Sequence, residues 1–251
     1  MKQAYWDGLS ETFDDEVFDP VKNDLNKVIR SSIEKFSHPQ HTAIDIGCGN
    51  GRNLGSLSLQ FKTVLGIDIS PDCLQLASEQ FKSRQSVECR QLDLSQCVTD
   101  VEKADLGLCL NVVMMQSFET RQRLLQNITS LIKPKGRLLL LVPSLESVLL
   151  TLHRLILWNL EEHANYKQAA AAANNELGFS ARYIRDGMVN KGGTPTKHYI
   201  KEELELLISS HGHRVCDIKK VEYSWKTEFA NPPATMSAPY PWDWLVISTP
   251  H

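Results

Sequence analysis

Residues 42–57, TAIDIGCGNGRNLGSL, decide the fold. Ala43, Ile44 and Ile46 read as a short buried strand. Gly47, Gly49 and Gly51 make a dense turn, and Leu54 and Leu57 open a helix. A strand that feeds a glycine loop and then a helix start is a ligand cradle. Glycine lets the backbone come close to a ligand with no Cβ in the way, and a helix start offers N–H groups that lack partners. One acid, Asp45, stands two positions before the first glycine.

Working outward, the chain alternates short apolar strands with amphipathic helices. Strands are expected at 63–69 (TVLGIDI), 86–92, 106–113 and 137–142 (RLLLLV). Ser70-Pro71-Asp72 starts the helix between the first two, with serine as cap and proline in the first turn. A further helix is expected at 119–132. Such alternation implies a parallel sheet covered on both faces, with ligands beyond the carboxyl ends of its strands. Asp45, Asp68, Asp93 and Asn111 are then aimed at one edge.

The flanks are less regular. Residues 1–38 read as a helical cap, with Pro20 marking a break or a new start. Residues 144–198 read as a helical insertion lying over the ligand edge as a lid. A helix follows from Tyr199 and ends at Gly212. Strands at 214–225 and 242–249 have no helix between them, so if adjacent they pair antiparallel. The expectation is one domain over 1–251.

Composition narrows the function. At 251 residues the chain can build a proper core, and 42% hydrophobic with 23% charged residues is ordinary for a globular protein. A net charge of −3 gives no electrostatic case for nucleic acid. No run approaches the ~18 apolar residues of a spanning helix, and the acidic start MKQAYWDGLSETFDDEVFDP is no signal peptide. The six cysteines lack C-x-x-C spacing, so free thiols in a cytoplasmic protein and no metal site are expected.

Three ligands compete for the loop. A triphosphate loop needs Lys-Ser/Thr after its last glycine, whereas Arg52-Asn53 follows Gly51. The dinucleotide fingerprint G-x-G-x-x-G is replaced by G-x-G-x-G, and a carboxylate at Asp45 would repel a pyrophosphate. It suits the ammonium of S-adenosylmethionine instead. Asp68 is placed to accept from both ribose hydroxyls. Asp93 can take the adenine amino group while the Leu94 N–H meets a ring nitrogen. Asp93 has a second reading as a turn with Ser95, and Asn111 one as a hydrogen-bonded core amide.

The stretches AIDIGCGNG, GIDIS, QLDLS, LCLNVVMM and LIKPKGRLLLLVPS, in this order over about residues 40–143, resemble the class I S-adenosylmethionine-dependent methyltransferases. The resemblance implies a doubly wound, Rossmann-like α/β fold: a seven-stranded sheet, mostly parallel, with a reversed last strand. It implies S-adenosylmethionine as cofactor, held by Asp45, Gly47, Gly49, Asn50, Gly51, Asp68, Ile69, Asp93, Leu94 and Asn111. The expected activity is in-line methyl transfer to a small-molecule acceptor, by a monomer or homodimer. The alternative is an inactive relative that keeps the pocket for cofactor or partner binding. The Asn-Pro-Pro-Tyr/Phe signature of amino-group methylation on nucleobases is absent. Candidate bases are His153, His163, Tyr166, His198 and Tyr199, with His198 and Tyr199 first because they lie where the insertion returns to the sheet. Tyr5-Trp6 has two readings, a flap over the cofactor or an anchor for the first helix. The segment 239–242 (PYPW) reads as an acceptor wall or a plain hairpin link.

Overall fold

The first strand, β1 (Thr42–Ile46), is the third strand across a seven-stranded sheet in the computed structural model, which describes residues 3–96, 100–161, 165–177, 185–191 and 194–251. Four short helices precede it: α1 (Gln3–Asp7), α2 (Phe13–Glu16), α3 (Pro20–Asn23) and α4 (Val28–Phe36). Then come α5 (Leu54–Leu57), β2 (Thr63–Asp68), α6 (Pro71–Phe81), β3 (Val87–Gln91), β4 (Ala104–Leu110), α7 (Phe118–Ser130) and β5 (Ile132–Pro143). The second half holds α8 (Leu145–Asn159), α9 (Tyr166–Glu176), the hairpin strands β6 (Met188–Lys191) and β7 (Thr194–Lys197), α10 (Lys201–Ser210), β8 (His213–Glu222) and β9 (Trp242–Pro250).

The strand order is β3-β2-β1-β4-β5-β9-β8. The first five strands are mutually parallel, and β9 runs antiparallel to both β5 and β8. Only β9 is reversed, because its link to β8 contains no crossover helix. Its first residues therefore meet the carboxyl end of β5, where Asp243 pairs with Pro143.

Period-two alternation sends successive strand residues to opposite buried faces. Ile44, Ile46, Leu138 and Leu140 pack with Leu125 and Ile128 of α7 and Leu204 and Ile208 of α10. Ala43, Leu106, Leu108, Leu139 and Leu141 pack with Ile29 and Ile33 of α4, Leu54 and Leu57 of α5, and Leu74 and Ala77 of α6. Each leucine and isoleucine among them contributes about 1.5–3 kcal/mol on leaving water, so the two layers fix the strand ends that carry the site.

Local signals place the helices. The Ser70 hydroxyl accepts from the Cys73 N–H with Pro71 beside it, and Asp19 caps α3 ahead of Pro20. Gly212, at φ 76°, ends α10. Two boundaries differ from the pattern. β4 stops at Leu110, since Asn111 turns out of the strand at φ 55°. Tyr199 stays extended, bridging to Ser144, and α10 begins at Lys201.

The described residues of 144–198 include α8, α9 and the β6–β7 hairpin. The two helices pack against Trp225, Phe229, Met236 and Tyr240 as a third apolar cluster. Of the described cysteines, Cys48, Cys73, Cys89, Cys109 and Cys216 are free thiols; Cys97 lies outside the described residues. Among the described residues no helix is long and apolar enough to cross a membrane, and no His/Cys/Asp/Glu group could hold a metal ion.

Candidate functional site

Gly47 leaves β1 at φ 73°, and its N–H and that of Cys48 both donate to the Ile67 carbonyl, at 2.7 and 3.0 Å. The loop is thus folded back onto β2. A Cβ on Gly47 would sit 2.3 Å from Val112 Cγ2, and one on Gly49 2.3 Å from Phe13 Cζ. Both residues need positive φ and neither has room for a side chain. The helix that follows the loop, α5, is a single turn.

Asp68 ends β2 and ties the loop to it. One carboxylate oxygen accepts from the Gly49 N–H at 2.8 Å, the other from the Ser70 N–H at 2.9 Å. A carboxylate offers about four lone-pair positions, so each oxygen keeps capacity for a ligand. Burial pushes its pKa up, and the Asp7 charge adds to this, against the stabilising N–H groups of Ser70, Gly49 and Ile69. Asp93 makes the turn: Oδ1 accepts from the Ser95 N–H at 2.9 Å. Burial raises its pKa, but hydrogen bonds from Ser95 and Gln96 outweigh that and hold it below the usual carboxylate range.

Asp45 has a different setting. It is 1% exposed, with Oδ2 lacking any hydrogen-bond partner. Burial pushes its pKa up to about 7, the nearby Asp68 charge acts the same way, and a hydrogen bond from Asn53 opposes both.

These elements border a cleft of about 600 Å³ at the carboxyl edge of the sheet. Of the expected cofactor residues, Gly47, Asp68, Ile69, Asp93, Leu94 and Asn111 line it. Asp45, Gly49, Asn50 and Gly51 do not: Asp45 lies beneath the loop, and the N-terminal segment covers Gly49 and Asn50. The rest of the lining is largely apolar, with Val112, Met114, Met115 and Leu124 on the β4 side. Asn111 donates from Nδ2 to Asp243 Oδ2 at 3.2 Å, and the Tyr223 hydroxyl donates to the same oxygen at 2.9 Å.

Neither His198 nor Tyr199 lines the cleft. Tyr199 is 1% exposed, and its hydroxyl donates to the Val113 carbonyl at 2.7 Å. Burial pushes its pKa up. Its place is to hold the post-β4 loop, together with the Lys197 N–H on Met114 and Arg121 on Met115 and Gln116. His198 Nε2 lies 3.3 Å from the Thr196 hydroxyl. His153 and Tyr166 are exposed, and His163 lies outside the described residues. The 239–242 segment is a hairpin link, not an acceptor wall, since none of its residues lines the cleft.

The cover comes from the N-terminus. Trp6, Phe13, Val17, Phe18, Asp19, Pro20 and Val21 all line the cleft, whereas no described residue of 144–198 does. Arg52 clamps this segment: Nε meets Asp14 at 2.7 Å, Nη1 the Val17 carbonyl at 2.8 Å and Nη2 the Phe13 carbonyl at 2.6 Å. Asp7 accepts from the Ser70 hydroxyl at 2.6 Å. An arginine directly after the last loop glycine, with an acid-rich aromatic segment upstream, is the sequence signal for this closure.

Residues 44–140 match the family described as a methyltransferase domain. The ubiquinone biosynthesis O-methyltransferase of Coxiella burnetii is 23% identical over 141 residues, 55% of this chain and 56% of that protein. The chain therefore spans about half the length of the curated relatives it matches. A SAM-dependent methyltransferase from Methanosarcina mazei superposes with a TM-score of 0.61 at 16% identity, over 90% of this chain and 97% of that one. The Burkholderia thailandensis 1,6-didemethyltoxoflavin-N1-methyltransferase, with 1,6-didemethyltoxoflavin and S-adenosylhomocysteine bound, superposes at 0.61 and 12% identity, over 99% and 86%. Sheet order, loop and sequence match agree: residues 44–140 carry the methyltransferase-domain match, and the fold is that of solved S-adenosylmethionine-dependent methyltransferases.

Proposed function

We propose that the protein transfers a methyl group from S-adenosylmethionine to a small-molecule acceptor held in the same cleft. One observation carries this: a single cavity joins the carboxylate ends of β2 and β3 to an apolar wall past β4. Asp68 accepts from the ribose hydroxyls with its spare lone pairs, and Asp93 and the Leu94 N–H address the adenine. Gly47 brings the backbone up to the methionine portion. Asp45, buried outside the cleft lining, is given no direct contact with the cofactor. When bound, the cofactor supplies an electrophilic methyl group on a sulfonium, an excellent leaving group. The remaining task for the chain is orientation, worth roughly 7–11 kcal/mol when reacting atoms are held in line. Trp6, Phe13 and Phe18 exclude water from one side; Val112, Met114 and Met115 wall the other.

The names of the relatives support small acceptors methylated on oxygen or nitrogen. The test is release of S-adenosylhomocysteine when the protein meets S-adenosylmethionine and a panel of neutral phenols, catechols and heteroaromatic amines. Turnover of one acceptor is expected. Failure to bind S-adenosylmethionine in a calorimeter sinks the proposal. Binding without turnover across the panel favours a cofactor-binding module, a reading supported by the absence of His198 and Tyr199 from the cleft lining.

A further inference from the structure

We propose that the acceptor half of the cleft takes a neutral or cationic molecule with an apolar body and an N–H or O–H donor, and excludes carboxylates and phosphates. The inference rests on the methyltransferase reading of this cleft and adds the acceptor's chemistry.

Asn111 supplies the first observation. Its amide faces the carboxylate of Asp243, an acceptor, so Nδ2 must point there. The Tyr223 hydroxyl donates to the same carboxylate oxygen, and the Phe18 ring stands edge-on to Tyr223 at 5.0 Å. The amide orientation is therefore fixed by its partners. Its Oδ1 is shielded from solvent and has no hydrogen-bond partner, on a residue that lines the cleft in a left-handed conformation. An acceptor atom in that state is satisfied by a ligand donor and is penalised by a ligand oxygen that can only accept.

Charge supplies the second. Among the described lining residues Asp68 and Asp93 belong to the cofactor end, which leaves Asp19 beside the one lining cation, Arg52. That guanidinium is committed to Asp14 and to two carbonyls. The covering segment adds Asp7, Glu11, Asp14, Asp15 and Glu16 with no lysine or arginine between residues 3 and 21. Asp243 stands behind Asn111. The covering segment's acids are mostly exposed and outside the cleft lining, so they act through the field at its mouth, which disfavours the approach of an anion. The apolar body is addressed by Trp6, Phe18, Met114 and Met115.

The experiment titrates indole, tryptamine, indole-3-acetate and 1-methylindole calorimetrically, with and without S-adenosylhomocysteine. Indole and tryptamine are expected to bind at least tenfold tighter than indole-3-acetate, and indole several-fold tighter than 1-methylindole. Asp19→Asn keeps the helix cap while removing charge, and narrows the tryptamine to indole-3-acetate gap at least threefold. Asn111→Gly suits the positive φ and abolishes the preference for indole over 1-methylindole. Equal or tighter binding of indole-3-acetate overturns the proposal, as does binding of none of the four or an indole preference that survives Asn111→Gly. If S-adenosylhomocysteine fails to bind, the cofactor reading falls, while the order of the probes on the protein alone still decides this one.

Discussion

Replacing Asp68 by alanine tests the site at its hinge. The carboxylate has two duties: it holds the Gly49 and Ser70 N–H groups, and it is assigned the two ribose hydroxyls. Hydrogen bonds to a charged group are worth about 1.5–3 kcal/mol each. Loss of two ligand bonds therefore weakens cofactor affinity by about 3–6 kcal/mol, or roughly a hundred- to ten-thousand-fold at 1.4 kcal/mol per decade. The two stranded N–H groups cost a further ~2 kcal/mol of stability, near the low end of the range for unpaired donors because the open cleft admits water. Calorimetry with S-adenosylhomocysteine reads the first quantity and urea unfolding the second. Asp68→Asn separates them, since an amide can accept from only one of the two N–H groups and turns its own NH2 on the other. A folded Asp68→Ala protein that binds within threefold of wild type refutes the ribose assignment. Unchanged stability refutes the account of the loop.

Three further outcomes follow from the same geometry. Arg52→Ala releases the N-terminal segment from two carbonyls and Asp14; proteolytic cleavage within residues 3–21 should accelerate about tenfold, given ~1.5 kcal/mol of lost clamping, and an unchanged rate counts against the clamp. Tyr199→Phe leaves the buried Val113 carbonyl without its donor and should cost about 1–3 kcal/mol of unfolding free energy with affinity for S-adenosylhomocysteine unaltered; a large affinity loss would return Tyr199 to the site. His213 is buried between the Ser248 hydroxyl at 3.0 Å and the Thr129 carbonyl at 3.0 Å, so Nε2 carries the proton and Nδ1 accepts. Burial lowers its pKa below the usual 6.5, and the unfolded chain then binds more protons than the native one. Its stability contribution is full above pH ~6.5 and is lost as pH falls from there through the folded value. Unfolding free energy should drop between pH 7 and 5, with a shallower slope in His213→Gln; equal slopes would contradict the assignment.

What the sequence carried, and what it did not, divides along the range of the interactions. Strand–loop–helix order, the Ser70 cap and the strand-end position of Asp68 depend on residues near one another in the chain, so periodicity and capping chemistry revealed them. The reversed strand was legible because the link from Glu222 to Trp242 lacks a helical repeat. The cover was not. The helical stripe Leu149, Leu152, Ile156 and Leu160 implies a buried face for α8 but not its partner; Leu149 and Leu160 are exposed instead, while Leu155 and Ile156 pack with Trp225 and Phe229, about seventy residues away. The lid function expected of 144–198 finds no counterpart among the described residues of the cleft lining, which the N-terminal segment completes instead. That segment is held in part by side-chain bonds to backbone carbonyls, Arg52 to Phe13 and Val17, and a carbonyl leaves no trace in residue identity; its other bonds, Arg52 and Asn50 to Asp14 and Ser70 to Asp7, join residues far apart in the chain. Asn111 is the same problem at shorter range. Its left-handed turn and fixed amide depend on Asp243, 132 positions on, so whether it was a core amide or a ligand contact had no answer until β9 was placed. With β9 in place the anchored end of the amide is settled: Nδ2 is held by Asp243, and Oδ1 is left without a protein partner.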